Sequence, residues 1–267
     1  MKDAHELLAK LWADYSNLIP QTKEIHALLE ARGDKVENDH IALRTYNDKR
    51  VGVEALAKYF EKFGYKACGE YEFKAKKLRA KHFEHEDPKL PLVFISELKT
   101  EEFSDDLQAT IKGLVDQIDA ATYERDDFPC VGQPWKVSHE TYQKLADESE
   151  YAGWLSAFGY RANHFTVYIN ALTTIGSLEE MNQFLKDNGY PLNTSGGEIK
   201  GNPEMLLEQS STLADQVEVE FIDGKFVIPS CYYEFARRYP KADGEIFTGF
   251  VAQSADKIFE STDRQKA

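Results

Sequence analysis

Two histidines open two strand-like runs of this chain: Asp39–His40 in ENDHIALRTY, residues 37–46, and Asn163–His164 in RANHFTVYIN, residues 161–170. A third run, FVIPSCYYEF, carries Glu234 near its end. Two imidazoles and one carboxylate are a ligand set for a divalent metal, and three protein ligands leave positions open for substrate. A single histidine at a strand start is more often a hydrogen-bonded structural residue. Repetition and spacing must therefore carry the metal assignment.

Alternate side chains of a strand share a face. On that rule His40 goes with Ala42, Arg44 and Tyr46; His164 with Thr166, Tyr168 and Asn170; Glu234 with Tyr232, Ala236 and Arg238. A face meant only for a core would be apolar throughout, because a buried charge without a partner is expensive. These three mix ionisable groups with small and aromatic ones, which places something polar between the strands.

The elements around the histidines recur. After His40, VGVEALAKYFEKFGYKACGEYEF reads as a helix stopped at Gly64 and followed by a strand. After His164, IGSLEEMNQFLKDNGYPLNTSGGEIK repeats the plan with its stop at Gly189. The offsets agree: 164 − 40 is 124 and 189 − 64 is 125. Such an internal repeat is a statement about architecture. Each copy continues with extended segments: KLRAKHFEH and LPLVFISEL in the first, DQVEVEFI and FVIPSCYYEF around the turn DGK in the second. Glu97 and Glu234 lie near the ends of the last segments at an offset of 137, so about a dozen residues have entered the second copy.

The expected fold class is α+β: two pseudo-symmetric βαβββ modules forming a curved sheet, or cup, around a metal site, with added helices. The chain reads as a single domain over 1–267, with N-terminal helices over 1–35 divided by Pro20 and a first module over 36–100. A helical insert over 101–158, a second module over 159–240 and a C-terminal segment over 241–267 complete it. The tail ESTDRQKA reads as disordered.

With 42% hydrophobic and 29% charged residues the composition is that of a globular protein. A net charge of −14 argues against nucleic acid or anionic membrane as partner. No apolar run nears 18 residues, and the N-terminus lacks an apolar signal core, so neither a transmembrane helix nor a secretory signal is expected. Cys68, Cys130 and Cys231 are odd in number and far apart, which suits a reducing cytoplasm. His82 and His85 in KHFEHED read as a solvated hairpin, His5, His26 and His139 as superficial, and Cys231 as core; GQPW and NTSGG are turns.

Paired βαβββ modules with histidines on matching strands resemble the vicinal oxygen chelate architecture, in which the strands curl around one divalent metal. The candidate ligands are His40, His164 and Glu234, a facial triad of the kind found in non-haem Fe(II) oxygenases. Glu97 stands in the pseudo-equivalent place of Glu234, and as a fourth ligand it would suit a glyoxalase-like isomerase better.

DHIALRTY, ANHFTVYIN, EQSSTLAD and YYEFARRYP, in that order, resemble the 2-oxoadipate dioxygenase/decarboxylase family over about residues 30–260. The resemblance implies Fe(II) held by His40, His164 and Glu234, and Arg44 as a substrate-binding arginine. It implies a 2-oxo acid and O2 as substrates, 2-oxoadipate giving 2-hydroxyglutarate and CO2, in lysine catabolism for the bacterial members. It also implies family members considerably longer than this chain. Gln209 and Ser211 are expected to line the pocket on their polarity. Zn, Ni or Mn fits the same ligands, and a redox-neutral lyase or isomerase of the glyoxalase type, or a non-catalytic small-ligand binding protein, are the alternatives.

Overall fold

The computed structural model describes residues 1–264. Helices α1 (Ala4–Leu18) and α2 (Pro20–Ala31) open the chain. The Asp3 side chain accepts from Glu6 N at 2.9 Å to start α1, and Pro20 starts α2, where a missing N–H costs nothing. Then follow β1 (Asn38–Tyr46), α3 (Val53–Glu61), β2 (Lys66–Phe73), β3 (Leu78–Glu84) and β4 (Leu92–Leu98). Helices α4 (Asp105–Val115), α5 (Ala120–Tyr123), α6 (His139–Glu148) and α7 (Glu150–Phe158) lie between the two halves. The second half runs β5 (Ala162–Tyr168), α8 (Leu178–Asp187), β6 (Lys200–Asn202), β7 (Leu207–Ser211), β8 (Gln216–Phe221), β9 (Gly224–Pro229) and β10 (Glu234–Arg238), and α9 (Ala252–Ile258) follows. Gly64 and Gly189, just past α3 and α8, have φ of 99° and 84°, the left-handed conformation that makes glycine the natural helix stop.

Eight strands form one sheet in the order β2-β3-β4-β1-β5-β10-β7-β6. The order is symmetric about the antiparallel β1–β5 pair, with β4 parallel to β1 on one side and β10 parallel to β5 on the other. One face is apolar: Ile41, Leu43, Phe165, Val167 and Phe235 are buried there, and α1 packs against it through Trp12 and Tyr15, each 5.1 Å from the Phe165 ring. The opposite face carries His40, His164 and Glu234.

Three expectations are corrected. FVIPSCYYEF is not one strand: it divides into β9 and β10, because Pro229 has no N–H to continue a ladder and the chain must cross back to the main sheet. The β8–β9 hairpin forms its own two-stranded sheet, and the short β6 and β7 fill the places in the second half that β2 and β3 fill in the first. The tail is structured at its start. Residues Phe259–Thr262 form a 3₁₀ turn with Ser261 and Thr262 buried, while residues 265–267 lie outside the described residues.

Candidate metal centre

Strands β1, β5 and β10 lie side by side, and each contributes one candidate ligand from the face opposite the apolar core. Glu234 Oε1 is 3.4 Å from His40 Nε2, and Glu234 Oε2 is 3.1 Å from His164 Nε2. The three ligand atoms all lie within 4.8 Å of one another. The imidazole rings stand nearly perpendicular, at 86°.

Each ring is fixed by the residue before it. Asp39 Oδ1 lies 2.7 Å from His40 Nδ1 and Asn163 Oδ1 lies 3.0 Å from His164 Nδ1. With the proton held on Nδ1, each Nε2 lone pair faces the Glu234 carboxylate; Thr166 Oγ1 also lies 3.1 Å from His40 Nε2, so a metal there would take the place of that hydroxyl contact. Burial, with the charges of His40 and Arg44, pushes His164 well below its usual range and keeps it neutral. Burial also pushes the Glu234 carboxyl up to about 6, against the opposing pull of His40 and Gln209. Glu234 Oε2 is buried and accepts no hydrogen bond. An orphaned carboxylate oxygen between two aimed imidazole nitrogens is what a divalent cation would satisfy.

Glu97 does not join this set. Its carboxylate accepts from Val53 N at 2.6 Å, capping α3, and from Arg79. A Cβ on Gly52 would come 2.8 Å from that carboxylate, so a larger residue there would displace the cap. Nor is Glu97 the pseudo-equivalent of Glu234. Glu234 pairs with Thr166, two residues after His164, whereas the residue paired with Ala42, two after His40, is Phe94.

Arg44 is buried beside the triad, with its guanidinium over the rings of Trp154, Tyr151 and Phe259 at 4.9, 5.1 and 5.5 Å. Both terminal nitrogens lie 3.3 Å from Thr262 Oγ1, and Nε has no partner. Among the described residues it forms no ion pair. The buried Tyr232 hydroxyl lies against the Arg44 guanidinium, and its ring stacks on His164 at 4.7 Å. A buried arginine and hydroxyl with unspent donors form a ready place for a carboxylate.

Gln209 Nε2 donates to Glu234 Oε1 at 2.6 Å, so it supports a ligand as well as lining the cavity. Ser211, paired with Glu234 across β7 and β10, is bonded to Ser261. His82 is buried, not solvated: its ring nitrogens face Tyr71 Oη and Glu84. It forms a second cluster with Cys68 and Glu84, in which both imidazole nitrogens are already engaged.

Residues of the C-terminal segment close the site. Phe250, Ala255, Ile258 and Phe259 line one side of a cavity of about 20 Å³ over the triad, opposite Phe94, Tyr232 and the ligands. That is room for about one water. Sequence reading missed Thr262, Phe250 and Phe94 because the chain gives no local sign of what folds over a site. The dipeptides Asp39–His40 and Asn163–His164 did carry a signal, a polar residue before each ligand.

A family model described as 2-oxoadipate dioxygenase/decarboxylase matches residues 3–125 and 132–243. A chloroplastic 2-oxoadipate dioxygenase/decarboxylase from Arabidopsis thaliana is 33% identical over 96% of this chain and 76% of its own length. The crystal structure of a hydroxyglutarate synthase from Oryza sativa in complex with 2-oxoadipate superimposes with a TM-score of 0.91, at 34% identity. The match covers 98% of this chain and 92% of the crystallised one. A Shewanella frigidimarina protein whose crystal structure carries a provisional description as a hydrolase is 56% identical, with a TM-score of 0.90. That match covers 94% of this chain and 99% of the other.

Proposed function

This chain belongs to the 2-oxoadipate dioxygenase/decarboxylase family, and from that premise we propose that it is an Fe(II)-dependent enzyme converting a 2-oxo dicarboxylic acid such as 2-oxoadipate, with O2, to a 2-hydroxy acid shortened by one carbon and CO2. For 2-oxoadipate the product is 2-hydroxyglutarate, and the atoms balance. The lost carboxyl carbon leaves as CO2, the keto carbon becomes the new carboxyl carbon, and the two atoms of O2 supply the new carboxyl oxygen and the hydroxyl. The observation that carries the proposal is the joint presence of a buried three-ligand set and, beside it, an arginine with no acid of its own.

His40 Nε2, His164 Nε2 and the Glu234 carboxylate would hold the metal, whose chemistry when bound is to chelate a 2-oxo acid and activate O2. Asp39 and Asn163 orient the two imidazoles, and Gln209 holds the carboxylate of Glu234. Arg44 grips a substrate carboxylate through two charge-assisted bonds, exchanging Thr262 Oγ1 for it. Phe94, Phe250 and Phe259 exclude bulk water from the reacting groups. A 2-oxo acid is larger than the cavity, so the segment carrying Phe250 and Phe259 must shift to admit it. The three free cysteines suit the proposed cytoplasmic setting.

The test is aerobic incubation of Fe(II)-loaded protein with a panel of 2-oxo acids, following O2 consumption and CO2 release together. Equimolar loss of O2 and gain of CO2 with 2-oxoadipate is the expected result. Product without O2 consumption would favour the hydrolase description or a redox-neutral lyase, and saturable binding with no product would leave a binding protein.

A further inference from the structure

Arg238 sits at the end of β10, and its guanidinium is almost wholly buried against Asp39, their side chains 3% and 2% exposed. Its Nε donates to Asp39 Oδ2 at 2.6 Å and its Nη2 to Asp39 Oδ1 at 2.9 Å. The pair is therefore a fixed carboxylate behind a metal ligand, since Asp39 Oδ1 is also the atom facing His40 Nδ1.

The remaining guanidinium nitrogen reaches elsewhere. Nη1 donates to the carbonyl of Phe247 at 3.0 Å and to that of Gly249 at 2.8 Å. The guanidinium carbon lies 5.1 Å from the Phe250 ring centroid, and Phe250 packs edge-on against the His40 ring at 4.9 Å. These three residues begin the segment that closes the cavity. His40 is thus held from behind by Asp39 and from the side by Phe250, and Arg238 holds both. The second histidine has no counterpart: Asn163 is uncharged and its amide nitrogen is unpartnered.

We infer that Arg238 is a positioning residue that binds the metal ligand His40 and the closing segment 247–259 into one unit, so that metal binding and closure are coupled. The inference rests on His40 being a metal ligand. Only a planar guanidinium with five donors can span one carboxylate and two carbonyls at once; a lysine keeps the charge but loses the fork. Coupling of this kind is reciprocal: a metal that draws His40 into place tightens the segment, and a loosened segment weakens the metal.

The test uses Co(II), whose visible bands report coordination, on the intact apoprotein. Chelator competition gives affinity, and limited proteolysis within residues 240–262 gives closure. In the wild type Co(II) should slow cleavage there. Arg238→Lys should bind Co(II) about 10–100-fold more weakly, shift its bands, and lose the metal-dependent protection. Asn170→Ala removes only the bonds to the Arg238 backbone and serves as the stability control, expected to lower Tm with affinity and bands unchanged. Affinity and protection in Arg238→Lys equal to wild type would overturn this inference alone, as would an equal loss of affinity in Asn170→Ala. A wild-type protein that binds no Co(II) would overturn the metal centre, and this inference with it.

Discussion

Phe94 occupies, in the first half of the sheet, the place that Glu234 occupies in the second. Each is paired in parallel register with the residue two beyond a histidine of the triad, Ala42 and Thr166 respectively. The offset between them is 234 − 94, or 140, against 124 for the histidines, and the difference of 16 is accounted for largely by the β8–β9 hairpin. A pseudo-symmetric cup could present four candidate ligands; this one presents three and an aromatic ring.

Phe94→Glu should therefore supply a fourth ligand. Metal affinity is expected to hold or rise, while O2 consumption with 2-oxoadipate falls to background because a position needed by substrate or O2 is filled. Parallel chelator competition and oxygen-electrode measurements check this. Undiminished O2 uptake in a metal-loaded variant would show that the position beside Phe94 is not needed in the reaction.

His164→Ala should abolish stoichiometric metal binding, read by elemental analysis after dialysis. His82→Ala should leave metal content unchanged but lower stability by about 1–3 kcal/mol, since a buried, hydrogen-bonded imidazole is removed. Loss of metal from the His82 variant would move the centre to the Cys68–His82–Glu84 cluster.

Arg44→Ala should weaken a 2-oxo acid by about 2–5 kcal/mol, the effect of removing one half of a buried charge pair, with metal content near normal. Lysine should rescue poorly. A structural pairing of Arg44 with Glu97 is ruled out by geometry, because Glu97 is engaged by Val53 N and Arg79. An unchanged KM in folded Arg44→Ala would remove the carboxylate role.

Metal uptake should rise between about pH 5 and 7. Glu234, pushed up to about 6 by burial, must lose its proton to ligate, while His164 is already neutral in that range. The sign for the metal-free protein is the reverse. Between the ordinary carboxyl value and about 6 the folded state holds a proton that the unfolded state has lost, so stability falls with rising pH across that window, by about 2 kcal/mol. Thermal melts of the apoprotein and chelator competition across the same pH series check both directions. Metal affinity independent of pH there would mean that Glu234 is not a ligand.

The internal repeat, the helix stops at Gly64 and Gly189, and the placing of His40, His164 and Glu234 on one face were legible in the sequence. They depend on local rules: the two-residue alternation of strands, the left-handed conformation that glycine accepts, and one offset shared by two copies. The residues before the histidines were visible for the same reason, adjacency.

Register and long-range closure were not legible. Alternation fixes which face Glu97 and Phe94 take but not how far β4 slides along β1, and a three-residue difference decided that Phe94 matches Glu234 while Glu97 caps a helix. FVIPSCYYEF looked continuous because apolar and aromatic residues favour strands wherever they fall, whereas its division was set by where the chain must rejoin the sheet. Arg238 on Asp39 spans 199 residues and Thr262 on Arg44 spans 218. Such contacts follow no periodicity, because they exist only once the sheet has curled and the C-terminal segment has folded across its open face. Local rules were enough to pick out the His40, His164 and Glu234 cluster; what holds these side chains and what covers them came only with the fold.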